Sequence, residues 1–367
     1  MQDDFRRRGF LPPEDPLTAF PADSPYAMLD EVGRTLPERL RDPDFRRWAE
    51  ALEIPPWTGG SGPDAERQCR LYYVRVGFLA SAYVNQIGAP PAHVLPANLA
   101  RPLCQVAAAL ERPPILSYAG YALYNWYRLD PAGPIALGNI DTFQNFVELY
   151  DEHWFILVHV DIEARAAAIC GAILDLEDRN AWRDREPVDA AVERITATVD
   201  EQTAVLQRIP ERMSPDLYFT HFRPYIRFFE DVVYDGVDHA PMSFRGETGA
   251  QSSVMPLLVA FFKIRHEPNE LTRHVADMRR YMPASHRALL ERVDAFPDVR
   301  GVATPEVFDK AMDAIARFRS VHYGWAQKYI AEKESDPLGT GGTPYVKWLA
   351  QLREETLAHR IGNGRGN

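Results

Sequence analysis

The sequence predicts an all-α fold, with a small irregular N-terminal helical domain over residues 1–140 and a large C-terminal helical bundle over 141–367. Three observations predict it. From about residue 140 onward, apolar residues recur every three or four positions through long segments, the period of one helix face. Alternating strand patterns are scarce. Prolines crowd the first hundred or so residues, among them Pro12, Pro13, Pro16, Pro21, Pro25, Pro55, Pro56, Pro90, Pro91, Pro96 and Pro102, so helices there must be short and irregularly joined.

Taken in order, Glu66 to Tyr83 is the clearest helix of the first part. The loop Asp130-Pro131-Ala132-Gly133-Pro134 marks the boundary. Helical periodicity then runs through 143–178, 186–208, 215–231, 251–264, 268–280, 284–294, 305–332 and 344–360. Two glycine-bearing loops interrupt the pattern, Gly236 to Ala250 and Glu332 to Thr343. Both suit close backbone approach to a ligand, and the second has the composition of a mobile lid.

Composition narrows the function. With 46% hydrophobic and 25% charged residues the chain is an ordinary globular one. The net charge of -11 disfavours nucleic-acid binding, which needs a basic face. The longest apolar runs are too short or too polar to cross a bilayer. Cys69, Cys104 and Cys170 are scattered, without the spacing of a zinc site or a disulfide framework. With no signal-like start, the expectation is a cytoplasmic protein.

Three segments carry candidate chemistry. The helix from Pro305, capped by Thr304, has the stripe Phe308, Ala311, Ile315, Phe318, His322, Trp325, Tyr329. A histidine on such a stripe is more often a hydrogen-bonded core residue than a ligand. Arg319, one turn earlier, opens the second possibility. The helix from Trp154 has the stripe Phe155, His159, Ile162, Ala166, Ile169, Ile173, with Glu163 four residues after His159 and able to hold its ring. In Ser214 to Tyr225, Arg223 stands among Tyr218, Phe219 and Phe222. A guanidinium among aromatics is costly without an anion, either a structural carboxylate or that of a substrate. Gly246 to Ser253 has the glycines of a phosphate loop but lacks its lysine and preceding strand. HExxH, GxSxG and paired Glu-x-x-His motifs are absent from the sequence.

These residues, with others in order along the chain, resemble the indoleamine 2,3-dioxygenase family. The resemblance lies in Gly9-Phe10-Leu11-Pro12, Tyr118-Ala119 through Asn125-Trp126, Asp130-Pro131, Phe219 through Arg223, Gln251-Ser252-Ser253, Asp277 through Pro283, Arg319 through His322, and Gly339 through Thr343. It implies a haem b enclosed by the large domain, with His322 as proximal iron ligand and Arg319 as a propionate partner. It implies that Arg223 binds a substrate carboxylate and that Tyr218 and Phe219 pack on an indole. Tyr118 and Tyr121 line the inner pocket, Thr248 and Gly249 lie beside haem and substrate, and Thr340 is the lid threonine. Phe155 takes the distal phenylalanine position. His159 falls where mammalian members carry serine and where the related tryptophan 2,3-dioxygenases set a histidine against the indole N–H. Tyr121 replaces a smaller cysteine found in some members, narrowing the pocket.

The implied activity is cleavage of the indole C2–C3 bond by dioxygen as co-substrate, giving N-formylkynurenine from L-tryptophan. It implies an electron donor to keep the iron ferrous. A haem monooxygenase of substituted indoles, a haem or tryptophan sensor without turnover, and a helical scaffold without cofactor remain alternatives at this point.

Overall fold

A computed structural model of the chain describes residues 2–268, 270–333 and 346–362. Its helices are α1 (Gln2–Arg8), α2 (Met28–Arg39), α3 (Phe45–Glu50), α4 (Ala65–Val84), α5 (Ala97–Ala109), α6 (Tyr150–Asp178), α7 (Arg185–Leu206), α8 (Pro215–Leu217), α9 (Val254–Phe262), α10 (Glu270–Met278), α11 (Ala284–Asp294), α12 (Pro305–Tyr329) and α13 (Val346–Ala358). Short strands β1 (Val94–Leu95), β2 (Tyr127–Arg128), β3 (Ile140–Asp141), β4 (Phe229–Tyr234) and β5 (Met242–Phe244) join them. β4 runs parallel to β1 (Val94↔Val233) and antiparallel to β5 (Phe229↔Phe244), while β2 and β3 pair antiparallel (Tyr127↔Asp141). The architecture is thus all-α with small β additions. None of the described helices is long and apolar enough to cross a membrane.

α6 is the hub, buried on nearly every side. Its Ile156, Leu157 and Val160 join a core built mainly from α2–α5 and residues 115–146. Its Ala166, Ile169 and Ile173 join a second core with α7, α9, α11 and α12. Its Trp154, Val158 and Ile162 join a third with Leu206, Tyr218, Phe222 and Tyr329. Phe5 and Phe10, at the very start of the chain, pack into the second core.

Several segments depart from the expected helices, for identifiable reasons. The helix expected from 143 begins at Tyr150, because Glu152 accepts the backbone N–H groups of Phe146 and Val147, both at 2.9 Å, and pins that stretch in an irregular path. The helix expected over 215–231 breaks up. Pro224 cannot donate to a helical ladder, and the chain runs through α8, a π-helical turn (Tyr218–Phe222) and a 3₁₀ turn (Arg223–Ile226) into β4. α9 stops at Phe262, where Lys263 turns left-handed at φ 54°.

One glycine is fixed by close approach. Gly9 (φ 60°) lies against α6 so tightly that a Cβ would sit 2.1 Å from the Glu163 carbonyl oxygen and 2.8 Å from the Ala167 nitrogen. The neighbouring Phe10 N–H donates to that same carbonyl at 3.2 Å. Gly9→Ala combines backbone strain with overpacking and is expected to cost about 2–5 kcal/mol. A chemical-denaturation midpoint unchanged from wild type would refute this.

Candidate active site

The stripe that carries His322 reads differently in space than in sequence. Phe308, Ala311 and Ile315 are buried at one end and Tyr329 at the other. Between them Phe318 and Trp325 are only partly covered and His322 is accessible. His322 is accessible yet surrounded by protein atoms, the position of a residue in a recess. The protein atoms crowding His322 push its pKa down to about 4, and nearby His159 adds to the effect. The imidazole is therefore neutral at pH 7, the form that ligates metals. Neither ring nitrogen has a hydrogen-bond partner among the described residues. Gly249 is exposed to the same recess, and a Cβ there would stand 3.9 Å from His322 Nε2.

His159 stands on α6, within electrostatic reach of His322. Its Nδ1 lies 2.7 Å from the Phe155 carbonyl. A carbonyl only accepts, so Nδ1 carries the proton and Nε2 presents a lone pair. Burial lowers its pKa further, keeping the ring neutral. Glu163 does not hold this ring, contrary to the sequence expectation. The i,i+4 spacing is met, but the two side chains have other partners.

Aromatic rings wall this region. The Phe155 centroid is 4.6 Å from His159, 5.5 Å from Tyr218 and 6.3 Å from Tyr121, and Tyr118 stands edge-on to His159 at 5.7 Å. Phe219 follows Tyr218 in the π-helical turn, and buried Arg223 lies with its guanidinium carbon 5.1 Å from the Phe219 ring centre. The break in the expected helix is what sets Arg223 beside these rings. Thr248 caps the short turn that begins at Gly249, its Oγ1 accepting from the Ala250 N–H at 3.3 Å.

Arg319 lies closer to α13 than the sequence alone implied. Its Nη1 donates to the Leu352 carbonyl and to Thr356 Oγ1 (2.8 Å), and Nη2 approaches His266 Nε2 at 3.3 Å. His266 in turn meets Glu355 at 2.5 Å. Only Nε is without a partner among the described residues. Thr340 and most of the loop around it lie outside the described residues.

Sequence reasoning gave Glu163 the wrong partner and missed the other buried carboxyls behind the wall. Glu163 Oε1 accepts from the Tyr118 hydroxyl (2.7 Å) and from Ser252 Oγ (2.5 Å), while Oε2 has no hydrogen-bond partner. Gln251 accepts from the Tyr118 N–H at 2.8 Å and donates to the Gly246 carbonyl at 2.8 Å. Ser253 meets His286 at 3.0 Å. Each side chain of the Gln251-Ser252-Ser253 motif thus fixes a different buried group. Glu152 accepts from the Tyr121 hydroxyl at 3.1 Å. Burial pushes Glu152 and Glu163 up to about 7 and Glu247 to about 8. A glutamate inside a long apolar helical stretch, as Glu163 is, was the available signal.

These carboxyls set a pH dependence. A folded-state pKa raised above the unfolded value gives stability that is fully present below about 4.5 and lost as pH rises through about 7. Glu163→Gln keeps an acceptor for Tyr118 and Ser252 and cannot ionise. It is expected to flatten the decline in stability between pH 5 and 8 by on the order of 1–3 kcal/mol. Denaturation midpoints of mutant and wild type that run parallel over this range would sink the idea.

Comparison with known proteins identifies the family. The profile of the family described as "Indoleamine 2,3-dioxygenase" matches residues 4–359. The chain is similar to human "Indoleamine 2,3-dioxygenase 2", 29% identical with 90% of this chain and 94% of that protein covered. It is also similar to "Indoleamine 2,3-dioxygenase 1" of Mus musculus, 28% identical over 95% and 92% of the two chains. A third relative is "6-hydroxytryptophan 2,3-dioxygenase fscD" of Fusarium equiseti, 28% identical over 95% and 94%. On a family match of this extent, the chain belongs to the indoleamine 2,3-dioxygenase family and is an oxidoreductase of the dioxygenase class.

Proposed function

We propose that the chain holds one haem b through His322 and inserts both atoms of dioxygen across the C2–C3 bond of an indole, L-tryptophan yielding N-formylkynurenine. Beyond family membership, one observation carries the reading. His322 and His159 stand within electrostatic reach, both neutral, with His322 accessible in a recess. The residues present fit a haem there. His322 offers an unprotonated imidazole, and Gly249 leaves clear the approach that a larger side chain would crowd.

When bound, the haem iron supplies the binding and activation of dioxygen. The chain supplies orientation and shelter. Arg223 grips the substrate carboxylate in two-point geometry. Tyr218, Phe219 and Phe155 hold the ring and exclude water, with Tyr118 and Tyr121 closing the wall behind. His159 Nε2 accepts a hydrogen bond from the indole N–H. Arg319 reaches a propionate through its two remaining N–H donors, on Nε and Nη2, while still docked on α13. Thr248 and Gly249 border the substrate, and Thr340 acts as the lid threonine. An external donor keeps the iron ferrous.

The test is the visible spectrum of the purified chain with and without indole, followed by product mass under heavy-isotope dioxygen. L-tryptophan and 6-hydroxytryptophan are both assayed, since one relative is named for an indoleamine and another for 6-hydroxytryptophan. A Soret band and two labelled atoms are expected. One labelled atom would make the enzyme a monooxygenase, a coloured chain without turnover a sensor, and a colourless chain a scaffold.

The acceptor role of His159 fixes a sign for pH. The neutral form is needed, and burial lowers the pKa from 6.5, so activity holds through neutrality and falls only on acidification below that value. kcat/KM is expected to show an acid limb below the ordinary imidazole range that His159→Ser removes without loss of haem. A limb that persists in the variant would assign it elsewhere.

A further inference from the structure

Far from the His322 space, one positive charge is buried without a counter-charge. Arg112 is 7% exposed, and no salt bridge reaches it among the described residues. The left-handed Glu111 (φ 53°) that follows α5 turns it inward. Its Nη2 donates to the Tyr124 hydroxyl at 3.1 Å, its Nε reaches the Leu110 carbonyl only at 3.5 Å, and Nη1 is buried with no well-formed hydrogen bond, the neutral Tyr73 hydroxyl being the polar group beside it. The guanidinium carbon lies 5.1 Å from the Tyr73 ring centre and 5.4 Å from that of Tyr124. Ring faces and hydroxyls soften a buried charge but do not neutralise it.

Two more arginines converge there. Arg70 of α4 also lies over the Tyr124 ring, at 5.5 Å. Arg287 of α11 donates to the Met282 and Glu111 carbonyls at 2.7 and 3.2 Å. All three act electrostatically on His286, and Arg70 and Arg112 both act on Cys69. The carboxylates nearby, Glu66 on Arg70 and Glu111 on Arg287 at 3.5 Å, are largely exposed, at 74% and 72%, and hold the outer arginines only. Three guanidinium groups against two solvated carboxylates leave the inner one uncompensated. A buried charge with an unused N–H calls for a partner, because proteins rarely bury an ion unpaired.

We propose that Arg112, with Arg70 and Arg287, forms a binding site for one small anion, of halide or carboxylate size. The site lies where residues 110–117 meet α4 and α11. Its consequence is mechanical. Tyr73 donates to the Ile115 carbonyl at 2.6 Å and accepts from the Ser117 N–H at 3.1 Å, and Tyr124 ends the π-helical turn Ala119–Leu123. Arg112 therefore braces both flanks of the segment that carries Tyr118 and Tyr121. An anion that settles Arg112 stiffens that segment.

The purified full-length chain is titrated with chloride, and separately with acetate, at constant ionic strength with a bulky sulfonate as balancing anion. The thermal midpoint should rise saturably by roughly 3 °C or more, and amide exchange in residues 113–124 should slow. Arg112→Met should remove the anion dependence. Should that variant fail to fold, Arg287→Gln at the rim should shift the saturation to at least tenfold higher anion. Crystals grown in bromide should show an anomalous peak beside Arg112. A midpoint indifferent to the anion would mean that water alone satisfies Nη1, and a response retained in both variants would place the anion elsewhere; either overturns the proposal.

Discussion

His322→Ala is expected to yield a folded chain that retains no haem, with the Soret band lost and dioxygenase activity below detection. Retention should fall by more than roughly 100-fold, since even outer-shell partners of a metal ligand typically cost 10–100-fold. The structure argues that the loss would be specific. His322 makes no hydrogen bond among the described residues and sits in the open middle of its stripe. Its removal leaves no buried polar group unpaired and opens no cavity in a filled core. The anchors of α12, Phe308, Ala311, Ile315 and Tyr329, are untouched. Far-ultraviolet circular dichroism and the denaturation midpoint of the cofactor-free chain should therefore match wild type. Added imidazole can occupy the vacated space and should restore part of the spectrum. An unchanged Soret band would remove the central claim. A chain that unfolds instead would show that His322 is a core residue, the blander reading of its position on an apolar stripe.

Much of this was legible in the sequence because periodicity survives folding. The 3–4 spacing placed His322 and His159 each on the apolar stripe of its own helix, and Pro305 marked the start of α12, although the Thr304 hydroxyl turns to Asp189 instead of capping the helix. Periodicity failed where a distant side chain overrode it. The stretch before Tyr150 has helical spacing, but Glu152 takes its N–H groups from a turn further on. Pro224 was visible, yet which irregular turns it would force was not, since π-helical and 3₁₀ geometry depend on packing around Arg223 rather than on composition. Spacing alone also suggested that Glu163 holds His159. In the fold the carboxyl is captured by Tyr118 and Ser252, residues 45 and 89 positions away. A local pattern can show that a polar group faces inward; its partner is chosen by topology. The same limit hid Arg112, whose lack of a counter-charge only the assembled neighbours reveal.

Arg223→Leu is the second large effect, and it falls on substrate binding. Arg223 is 4% exposed and held against Phe219, so little of its side chain is free to wander before substrate arrives. A two-point pairing with a carboxylate in such a place is worth on the order of 3–4 kcal/mol, or about 10²–10³-fold in KM. Arg223→Lys restores the charge without the planar fork and should recover only part of that affinity. A structural arginine would also weaken activity when replaced, so the decisive comparison uses tryptamine, which keeps the indole and lacks the carboxylate. In the wild type, tryptamine should bind poorly; in Arg223→Leu the gap between tryptamine and L-tryptophan should close, because the discriminating contact has gone. If instead both substrates weaken equally and the denaturation midpoint drops, Arg223 serves the fold, and the carboxylate must be met by another group.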